Sequence, residues 1–297
     1  MKQRIKKILG PIIIGITVAA FAYYIKRHPE TLNQLKQLPP AAIGLLLVLY
    51  AAGFLVYVFI TRVQLRMYDK KLSAQENILF NAYSSLINFF GPGQSGPVFR
   101  GIYLKKRHGL GLKQFTFTTL LYLGCFAIIS AIFAFIGSRP WWQTVLLVSC
   151  AAAFSVGLIR YYKKRTHVET GGVLSPANLG WLFGAVVLQV LCIAVIYGIE
   201  LHQAGASPSV GQILSYTGVA NFSLFVALTP GAIGIREAFL VFSQQLHHID
   251  SSVIVAANII DRAVYLLFLG ILFVIIMSLH AREKLQIKPD NLRSVDP

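Results

Sequence analysis

The chain has 297 residues, of which 56% are hydrophobic and only 13% charged, and its formal net charge is +16. A soluble domain carries about 25% charged residues, so this composition excludes an ordinary globular protein and favours a polytopic α-helical membrane protein. The basic residues fall mainly in short segments between apolar runs. That placement argues against nucleic acid as a partner and is typical of loops that face anionic headgroups.

Six apolar stretches are long enough to cross a bilayer, which takes about 20 helical residues. The first begins basic and turns apolar, as a signal peptide does, but apolar sequence continues beyond its small residues, so we interpret it as a retained helix. In chain order the six are Ile8–Ile25, Ala41–Ile60, Phe115–Gly137, Trp142–Tyr161, Leu179–Ile199 and Val253–Leu279.

Two further apolar stretches, Leu79–Phe90 and Gln212–Leu228, are each interrupted by a PGxxG motif. Proline ends a helix and glycine permits the turn that follows. In hydrocarbon such a break is tolerated only inside protein or beside a wet cavity, so both motifs should lie in the interior. The motifs are Pro92-Gly93-Gln94-Ser95-Gly96 and Pro230-Gly231-Ala232-Ile233-Gly234, and short helices are predicted after them at Pro97–Lys106 and Ile235–Leu246.

The motif belongs to a wider internal repeat. Its two copies start 138 positions apart, as do the second and fifth spans and the third and sixth. We therefore predict an all-α fold of six transmembrane helices plus two re-entrant helical hairpins. Residues 1–140 would form the first repeat, 141–280 the second and 281–297 a cytoplasmic tail. With three crossings in each half, the second repeat is inverted; eight full spans without re-entry are the alternative.

The placement of Lys and Arg predicts the orientation. Most of the 27 basic residues lie before the first span, at 62–71, at 100–113, at 160–165 and at 282–293. The loops around Gly205 and His247 carry none. The positive-inside rule then places both termini in the cytoplasm and the protein in the cell inner (cytoplasmic) membrane. Eight spans would also put both termini on one side, so charge does not separate the two topologies.

Each break is followed by a helix start, where unpaired N–H groups and the helix dipole favour an anion. Ser95 is expected to cap the first such helix, with Pro97 at its first position. Arginine suits bidentate phosphate binding. The alternative is that the glycines permit close packing and the arginines anchor the topology. The predicted substrate-binding residues are Arg100, Arg236, Gly93, Gly96, Gly231, Gly234 and Asn88.

Both broken segments carry polar residues, which follow helical spacing on one face in the first segment and share a face less cleanly in the second. A polar stripe in a membrane helix either bonds to neighbouring helices or lines a path, and the pattern leaves both interpretations open. The stripes are Asn77, Asn81, Ser84, Ser85 and Asn88 in the first hairpin, and Ser215, Thr217, Asn221 and Ser223 in the second.

The last span carries Asn258, Asp261, Arg262 and Tyr265. Charges inside a span are costly and are usually paired or functional. Asp261 and Arg262 are adjacent and do not face each other well, so we expect them to meet Arg236 and Glu237 of the second hairpin. Glu237, Asp261 and Arg262 are predicted to gate the site or to form ion pairs; a purely structural network is the alternative.

Metal and cofactor chemistry has little support in the sequence. His247-His248 with Asp250 lacks convincing ligand spacing, so no metal site is predicted. There is no nucleophile motif, P-loop or dinucleotide fingerprint, and we expect neither an enzyme nor a cofactor. Cys125, Cys150 and Cys192 lie in apolar runs and are interpreted as packing residues.

The segments NFFGPGQSGPVFR, ending at Arg100, and LTPGAIGIREA, containing Arg236, resemble the lysylphosphatidylglycerol synthase transmembrane-region family, also described as flippase-like. Arg262 fits the family as well. In two-part members this region translocates aminoacylated phosphatidylglycerol made by a separate synthase domain, which is not expected in this chain. The family usually has an acidic residue directly after the first PGxxG motif, but this chain has Pro97 there. At the second motif, Glu237 retains the acidic residue.

The resemblance implies a stand-alone lipid translocator for an anionic phospholipid or a polyprenyl- or hopanoid-type lipid. The partners considered are the membrane lipid itself, a lipid-synthesising enzyme or glycosyltransferase, and a second copy of the chain. Two rival functions are a membrane enzyme that acts on lipid-linked substrates and a scaffold that transports nothing. The enzyme would need a base or nucleophile among Glu76, Glu237 and Asp261, none of which has a companion constellation in the sequence.

Overall fold

The protein is described here by a computed structural model. The structure describes residues 36–91, 95–136, 141–166, 172–224 and 235–285 and the single positions 19, 23, 26 and 27, with some side chains of 141–172 and 235–285 left out. These ranges contain helices and no β-strand. The helices are α1 (Pro40–Arg66), α2 (Ala74–Phe90), α3 (Ser95–His108), α4 (Leu112–Phe135), α5 (Trp141–Thr166), α6 (Pro176–Gln203), α7 (Val210–Ser223), α8 (Ile235–Phe242), α9 (Gln244–His247) and α10 (Ser251–Leu285), with a 3-10 turn at Gly172–Leu174.

Four of the described helices are long and apolar enough to cross a membrane: α1, α4, α6 and the Ser251–Ser278 part of α10. They coincide with the second, third, fifth and sixth predicted spans. Large apolar side chains stay exposed on their outer faces, among them Val48, Leu188 and Val274. Such exposure is expected where lipid rather than water surrounds a helix. A polytopic helical membrane protein is therefore confirmed for this part of the chain.

The other two predicted spans remain predictions. The stretch Ile8–Ile25 lies outside the described ranges. Trp142–Tyr161 falls within α5, but several side chains of that helix are not described. At the carboxyl end, α10 continues to Leu285, so the predicted tail from residue 281 begins inside a helix.

Helices α2 and α3 pack together as an antiparallel hairpin. Ser73 caps the start of α2 by accepting a hydrogen bond from the Glu76 N–H, and α2 ends at Phe90, with Gly91 as its C-cap directly before the first PGxxG motif. With 14 residues α3 is about 21 Å long, against a hydrocarbon core of about 30 Å. This length favours re-entry over a full crossing, although re-entry itself stays a prediction.

The second hairpin follows the same order. Ser209 and Gln212 form a capping box that starts α7, and α8 begins at Ile235 beyond the second motif. The predicted helix Ile235–Leu246 is divided near Ser243 into α8 and α9. Each half thus contains a long helix, an interrupted hairpin and another long helix.

The long helices surround these hairpins. Helix α1 packs on α6, α4 packs on α5, α6 and α7, and α10 packs on α1, α2, α6 and α8. The side chains of one apolar core cluster come from α1, α4, α6, α7, α8 and α10, and include Leu46, Tyr197, Tyr216, Leu240 and Val264. The second hairpin is therefore held in the interior of the helix bundle.

Candidate functional site: two buried arginines

Arg100 lies in the second turn of α3, and only 4% of its surface is exposed. Its Nη1 donates a hydrogen bond to the Tyr57 hydroxyl. Its Nη2 donates to Thr61 Oγ1 at 2.7 Å and to Gln64 Oε1 at 3.3 Å. The guanidinium also lies over the Tyr57 ring, 4.7 Å from its centre. A single face of α1 therefore supplies all these polar contacts.

A second layer of hydrogen bonds fixes the acceptors of Arg100. The Thr61 hydroxyl donates to Asn81 Oδ1 at 2.9 Å, and Asn81 is held in turn by Asn77. The Gln64 amide donates to the Thr118 carbonyl of α4 at 3.1 Å. This network turns neutral oxygens toward the arginine. It also shows that the start of the polar stripe on α2 bonds across helices.

No acidic residue neutralises Arg100 within the described part of the chain. None of the ion pairs found there includes it, and its buried Nε has no hydrogen-bond partner there. A buried charge is normally paired with an opposite charge, because its desolvation is costly. Arg100 therefore has the properties expected of a cation that binds an anionic ligand.

The space beside Arg100 is closed in this conformation. Between α1, α3 and α4, the residues Thr61, Gln64, Leu110 and Phe115 surround the guanidinium and leave no room for a water molecule. A phosphate can reach this guanidinium only after α3 moves relative to α1 or α4.

Gly96 allows α3 to approach α2 closely. A Cβ at this position would lie 2.8 Å from both the Asn88 Cβ and the Ser84 carbonyl oxygen. The Gly96 N–H donates to Asn88 Oδ1 at 3.3 Å, although Asn88 itself is exposed. Ser95 lies inside α3 rather than before it, and its hydroxyl donates to the Ile87 carbonyl. The prediction that Ser95 caps α3 is therefore wrong, since the hydroxyl joins the two arms of the hairpin.

Arg236 lies at the start of α8 and is 7% exposed. Its Nη1 donates to Asp261 Oδ2 at 2.5 Å, and its guanidinium lies 4.9 Å from the centre of the Tyr197 ring. Its Nε and Nη2 are buried without a partner among the described residues. The charge of Arg236 is thus neutralised by Asp261, while two of its nitrogens, Nε and Nη2, could still donate to another acceptor.

Asp261 also contacts a second polar group. Its Oδ1 accepts a hydrogen bond from the Tyr50 hydroxyl at 2.5 Å, and that hydroxyl lies 3.0 Å from Glu200 Oε1. Glu200 is 1% exposed. The sequence reasoning did not identify Tyr50, Tyr197 or Glu200 as site residues. One signal was available: Glu200 is the only acidic residue in α6.

Helix α1 connects the two arginines. Tyr50 lies on the Arg236 side and Tyr57 on the Arg100 side, seven residues and therefore two helical turns apart on the same face. At 1.5 Å per residue, their positions differ by about 10 Å along the helix axis. Both lie near the middle of the 27-residue α1. Arg100 therefore contacts α1 directly, whereas Arg236 is linked to α1 through Asp261 and Tyr50, two helical turns away.

The remaining predicted residues are placed as follows. Gly93, Gly231 and Gly234 lie outside the described residues, and so does the Glu237 side chain. Arg262 is half-buried on α10. The functional roles assigned to these residues stay predictions.

The polar stripe of α7 joins α7 to α4. Asn221 donates to the Ser130 hydroxyl at 3.1 Å, and Ser215 donates to the Ile136 carbonyl at 3.2 Å. A Cβ on Gly218 would lie 2.2 Å from the Ala134 backbone nitrogen, so the two backbones are in close contact. For these residues the structure favours bonding between helices over lining a path.

His247 has a structural role. Its Nδ1 accepts from the Ile249 N–H, and its Nε2 donates to the Leu240 carbonyl. Burial lowers the pKa of this imidazole below its usual value. No group of three His, Cys, Asp or Glu side chains suited to a metal ion occurs in the described ranges.

A groove of about 940 Å³ lies between the start of α1, the end of α6 and the start of α7. Its lining is mainly apolar and includes Leu45, Val195 and Leu214. Neither arginine lines it, so this groove is not the anion site.

The sequence was also compared with known proteins. Residues 8–272 match the family model described as "Lysylphosphatidylglycerol synthase TM region". Neither the curated proteins nor the solved structures provide a match.

Proposed function

Because the chain belongs to the lysylphosphatidylglycerol synthase transmembrane-region family, we propose that it translocates a lipid across the cytoplasmic membrane, with both its termini in the cytoplasm. The substrate would be an anionic phospholipid, or a polyprenyl- or hopanoid-type lipid. The phosphate of a phospholipid or of a polyprenyl phosphate is the chemical group for which the two arginines are suited.

The observation that carries this proposal is the environment of Arg100. The side chain is almost fully buried, yet within the described residues its hydrogen bonds go only to neutral oxygens of Tyr57, Thr61 and Gln64. A structural arginine at this depth would be expected to pair with a carboxylate. An arginine that binds a phosphate has to remain available to it, and neutral acceptors orient the guanidinium without cancelling its charge.

Arg236 would receive the same phosphate at a second position. Asp261 holds one edge of its guanidinium, whereas Nε and Nη2 have no partner among the described residues and would bind the ligand. The Arg236–Asp261 pair therefore also supports the gating role predicted for Asp261, because a bound phosphate would compete with this carboxylate. Tyr57 contacts Arg100, and Tyr50 contacts the Asp261 partner of Arg236 about 10 Å away along α1, so the two arginines would form two steps of one path.

The repeat supports a mechanism of alternating access. In transporters built from inverted repeats, substrates bind at mid-depth near interrupted helices, and one half rocks against the other. The tight packing beside Arg100 fits a conformation in which the site is closed, and a movement of the first hairpin would admit the headgroup. Each hairpin would then open the path toward one side of the membrane.

The test is a measurement of headgroup exposure in vesicles. The full chain is reconstituted into phosphatidylcholine vesicles with a trace of headgroup-labelled phosphatidylglycerol, and a membrane-impermeant quencher reports the rate at which inner label moves outward. Wild type should accelerate this movement, and Arg100→Gln and Arg236→Ala should fall to the rate of protein-free vesicles. Arg107→Gln is the matched control, because that side chain is 67% exposed. Equal rates in all four proteins would contradict the proposal.

The same preparation separates the rival functions. A membrane enzyme would form a product from labelled lipid in detergent, without a bilayer, and we propose that no product forms. A scaffold would co-purify with a lipid-synthesising enzyme or a glycosyltransferase while moving no lipid. Co-purification together with lipid movement would instead indicate a translocator that receives its substrate from that partner.

A further inference from the structure

The Tyr50 hydroxyl lies between two carboxyl groups. Its oxygen is 2.5 Å from Asp261 Oδ1 and 3.0 Å from Glu200 Oε1. The three side chains come from α1, α10 and α6, so this one group joins three of the candidate membrane-spanning helices.

The number of protons in this cluster determines its state. A tyrosine hydroxyl has one proton to donate, and an ionised carboxylate can only accept. If Glu200 and Asp261 were both ionised, one of the two contacts would bring oxygens together with no proton between them. Both contacts are hydrogen bonds only when one carboxyl group holds an additional proton.

The position of Arg236 decides which carboxyl group holds it. Asp261 accepts from Arg236 Nη1 through its other oxygen, so Asp261 is the ionised partner. Glu200 is 1% exposed, and its nearest polar neighbours are the Tyr50 hydroxyl and the Asp261 carboxylate. A protonated Glu200 donates to the Tyr50 oxygen, and Tyr50 then donates to Asp261.

Among the described residues, charged and titratable groups face Glu200 from four other helices. Tyr50 faces it from α1, Asp261 from α10 and Arg236 from α8, while Tyr197 and Tyr216 add two phenols from α6 and α7. Arg236 is the described cation within electrostatic range of Glu200, and it is already bonded to Asp261.

We propose that Glu200 is a proton-binding site and that its proton is exchanged with the aqueous phase as the protein works. When Glu200 loses the proton, its carboxylate repels Asp261 and becomes a second acceptor for the unpaired N–H groups of Arg236. The ionised Glu200 then competes with a lipid phosphate, whereas a protonated Glu200 leaves Arg236 available. Proton binding at Glu200 and anion binding at Arg236 therefore favour each other, and the proton gradient is the energy source for translocation. This coupling rests on the proposed function, whereas the proton site at Glu200 does not.

Infrared difference spectroscopy of the purified full-length protein tests the proton site. A protonated carboxyl group shows a C=O stretch that a carboxylate lacks. At neutral pH we expect this band in wild type, its loss in Glu200→Gln and its persistence in the matched control Glu76→Gln. Glutamine keeps the shape of Glu200 and can donate to Tyr50, so this variant should fold. In Tyr50→Phe the band should move to higher wavenumber, because the carboxyl group loses its acceptor.

Absence of the band from folded wild-type protein at neutral pH would overturn the inference, and so would its persistence in Glu200→Gln. A second readout uses the labelled phosphatidylglycerol vesicles with a pH gradient. The pH gradient should change the rate of lipid movement in wild type but not in Glu200→Gln. An equal change in both proteins would overturn the coupling. If the band is found but wild type moves no lipid, the proton site stands and the proposed function fails. If lipid moves but the band is absent, only the inference fails.

Discussion

Arg236 and Asp261 form a buried ion pair whose Nη1–Oδ2 distance is 2.5 Å, although their residues are 25 positions apart on different helices. The Arg236 and Asp261 side chains are 9% and 13% exposed. Arg100 has no such partner among the described residues. Of the two buried arginines, one is therefore neutralised and the other is not, and this asymmetry leads to the first prediction.

Breaking the Arg236–Asp261 pair on one side should destabilise the protein strongly. Removing one member of a buried ion pair costs about 3–5 kcal/mol, because the other charge stays buried alone. We expect lower thermal unfolding temperatures for Arg236→Gln and Asp261→Asn, and recovery in the double variant. Asp250→Asn is the control, since Asp250 is exposed. The double variant should remain unable to move lipid; if it regained translocation, the pair would be purely structural.

Gly218 should tolerate no side chain. Its added Cβ would lie 2.2 Å from the Ala134 nitrogen and 2.4 Å from the Ser130 carbonyl oxygen, both of which are backbone atoms. Overpacking of this kind costs about 1–3 kcal/mol or more. Gly218→Ala should therefore lower the unfolding temperature measured in detergent. Gly211→Ala on the same helix meets nothing within 4 Å and should unfold no earlier than wild type; equal losses in both variants would show that α7 does not pack closely on α4.

The first hairpin should loosen in acid. Glu76 accepts hydrogen bonds from Tyr103 at 2.6 Å and His108 at 2.9 Å and pairs with Arg107, which ties the start of α2 to the end of α3. Partial burial acts to raise the Glu76 pKa, but these donors outweigh it and hold the pKa below its usual 4.5. Burial raises the pKa of Tyr103 to about 12, and its hydrogen bond to the Glu76 carboxylate acts in the same direction. Tyr103 therefore keeps its proton and donates a hydrogen bond to Glu76.

The direction in which pH changes the stability of the first hairpin follows from the lowered Glu76 pKa. The stabilisation is present above pH 4.5 and is lost as the pH falls through the Glu76 pKa of the folded state. Amide protection factors near His108, which remove the intrinsic pH dependence of exchange, should therefore fall in that acidic range and stay constant from there to neutral pH. In Glu76→Gln they should be low throughout. Unchanged protection factors across the acidic range in wild type would show that the Glu76 contacts do not hold the hairpin.

Four long helices and the end of the first interrupted helix could be predicted because they depend on local sequence. The length of the apolar stretches predicts α1, α4, α6 and α10, and the proline–glycine motif predicts the end of α2. The ion pair between Arg236 and Asp261 could be anticipated because few charged residues lie inside spans, which leaves few candidate partners.

The Tyr50–Glu200 contact could not be predicted in the same way. Its two residues are 150 positions apart, and Tyr50 resembles any aromatic residue of an apolar span. Glu200 lies one position beyond the predicted span Leu179–Ile199, where a charged residue at a helix end would be ordinary. Helical spacing groups Asn88 with Asn77 and Asn81. In the structure, Asn77 and Asn81 form hydrogen bonds to α1, whereas Asn88 is exposed. Such pairings depend on how helices cross, which helical spacing does not specify.

The central claim is that a buried, unneutralised Arg100 binds the headgroup phosphate, and equilibrium binding of short-chain phosphatidylglycerol to the purified full-length protein tests it most directly. A hydrogen bond to a charged group contributes about 1.5–3 kcal/mol, so Arg100→Gln should weaken binding by about tenfold or more. Arg107→Gln should bind as wild type does. Equal affinities for wild type and a correctly folded Arg100→Gln would contradict the account.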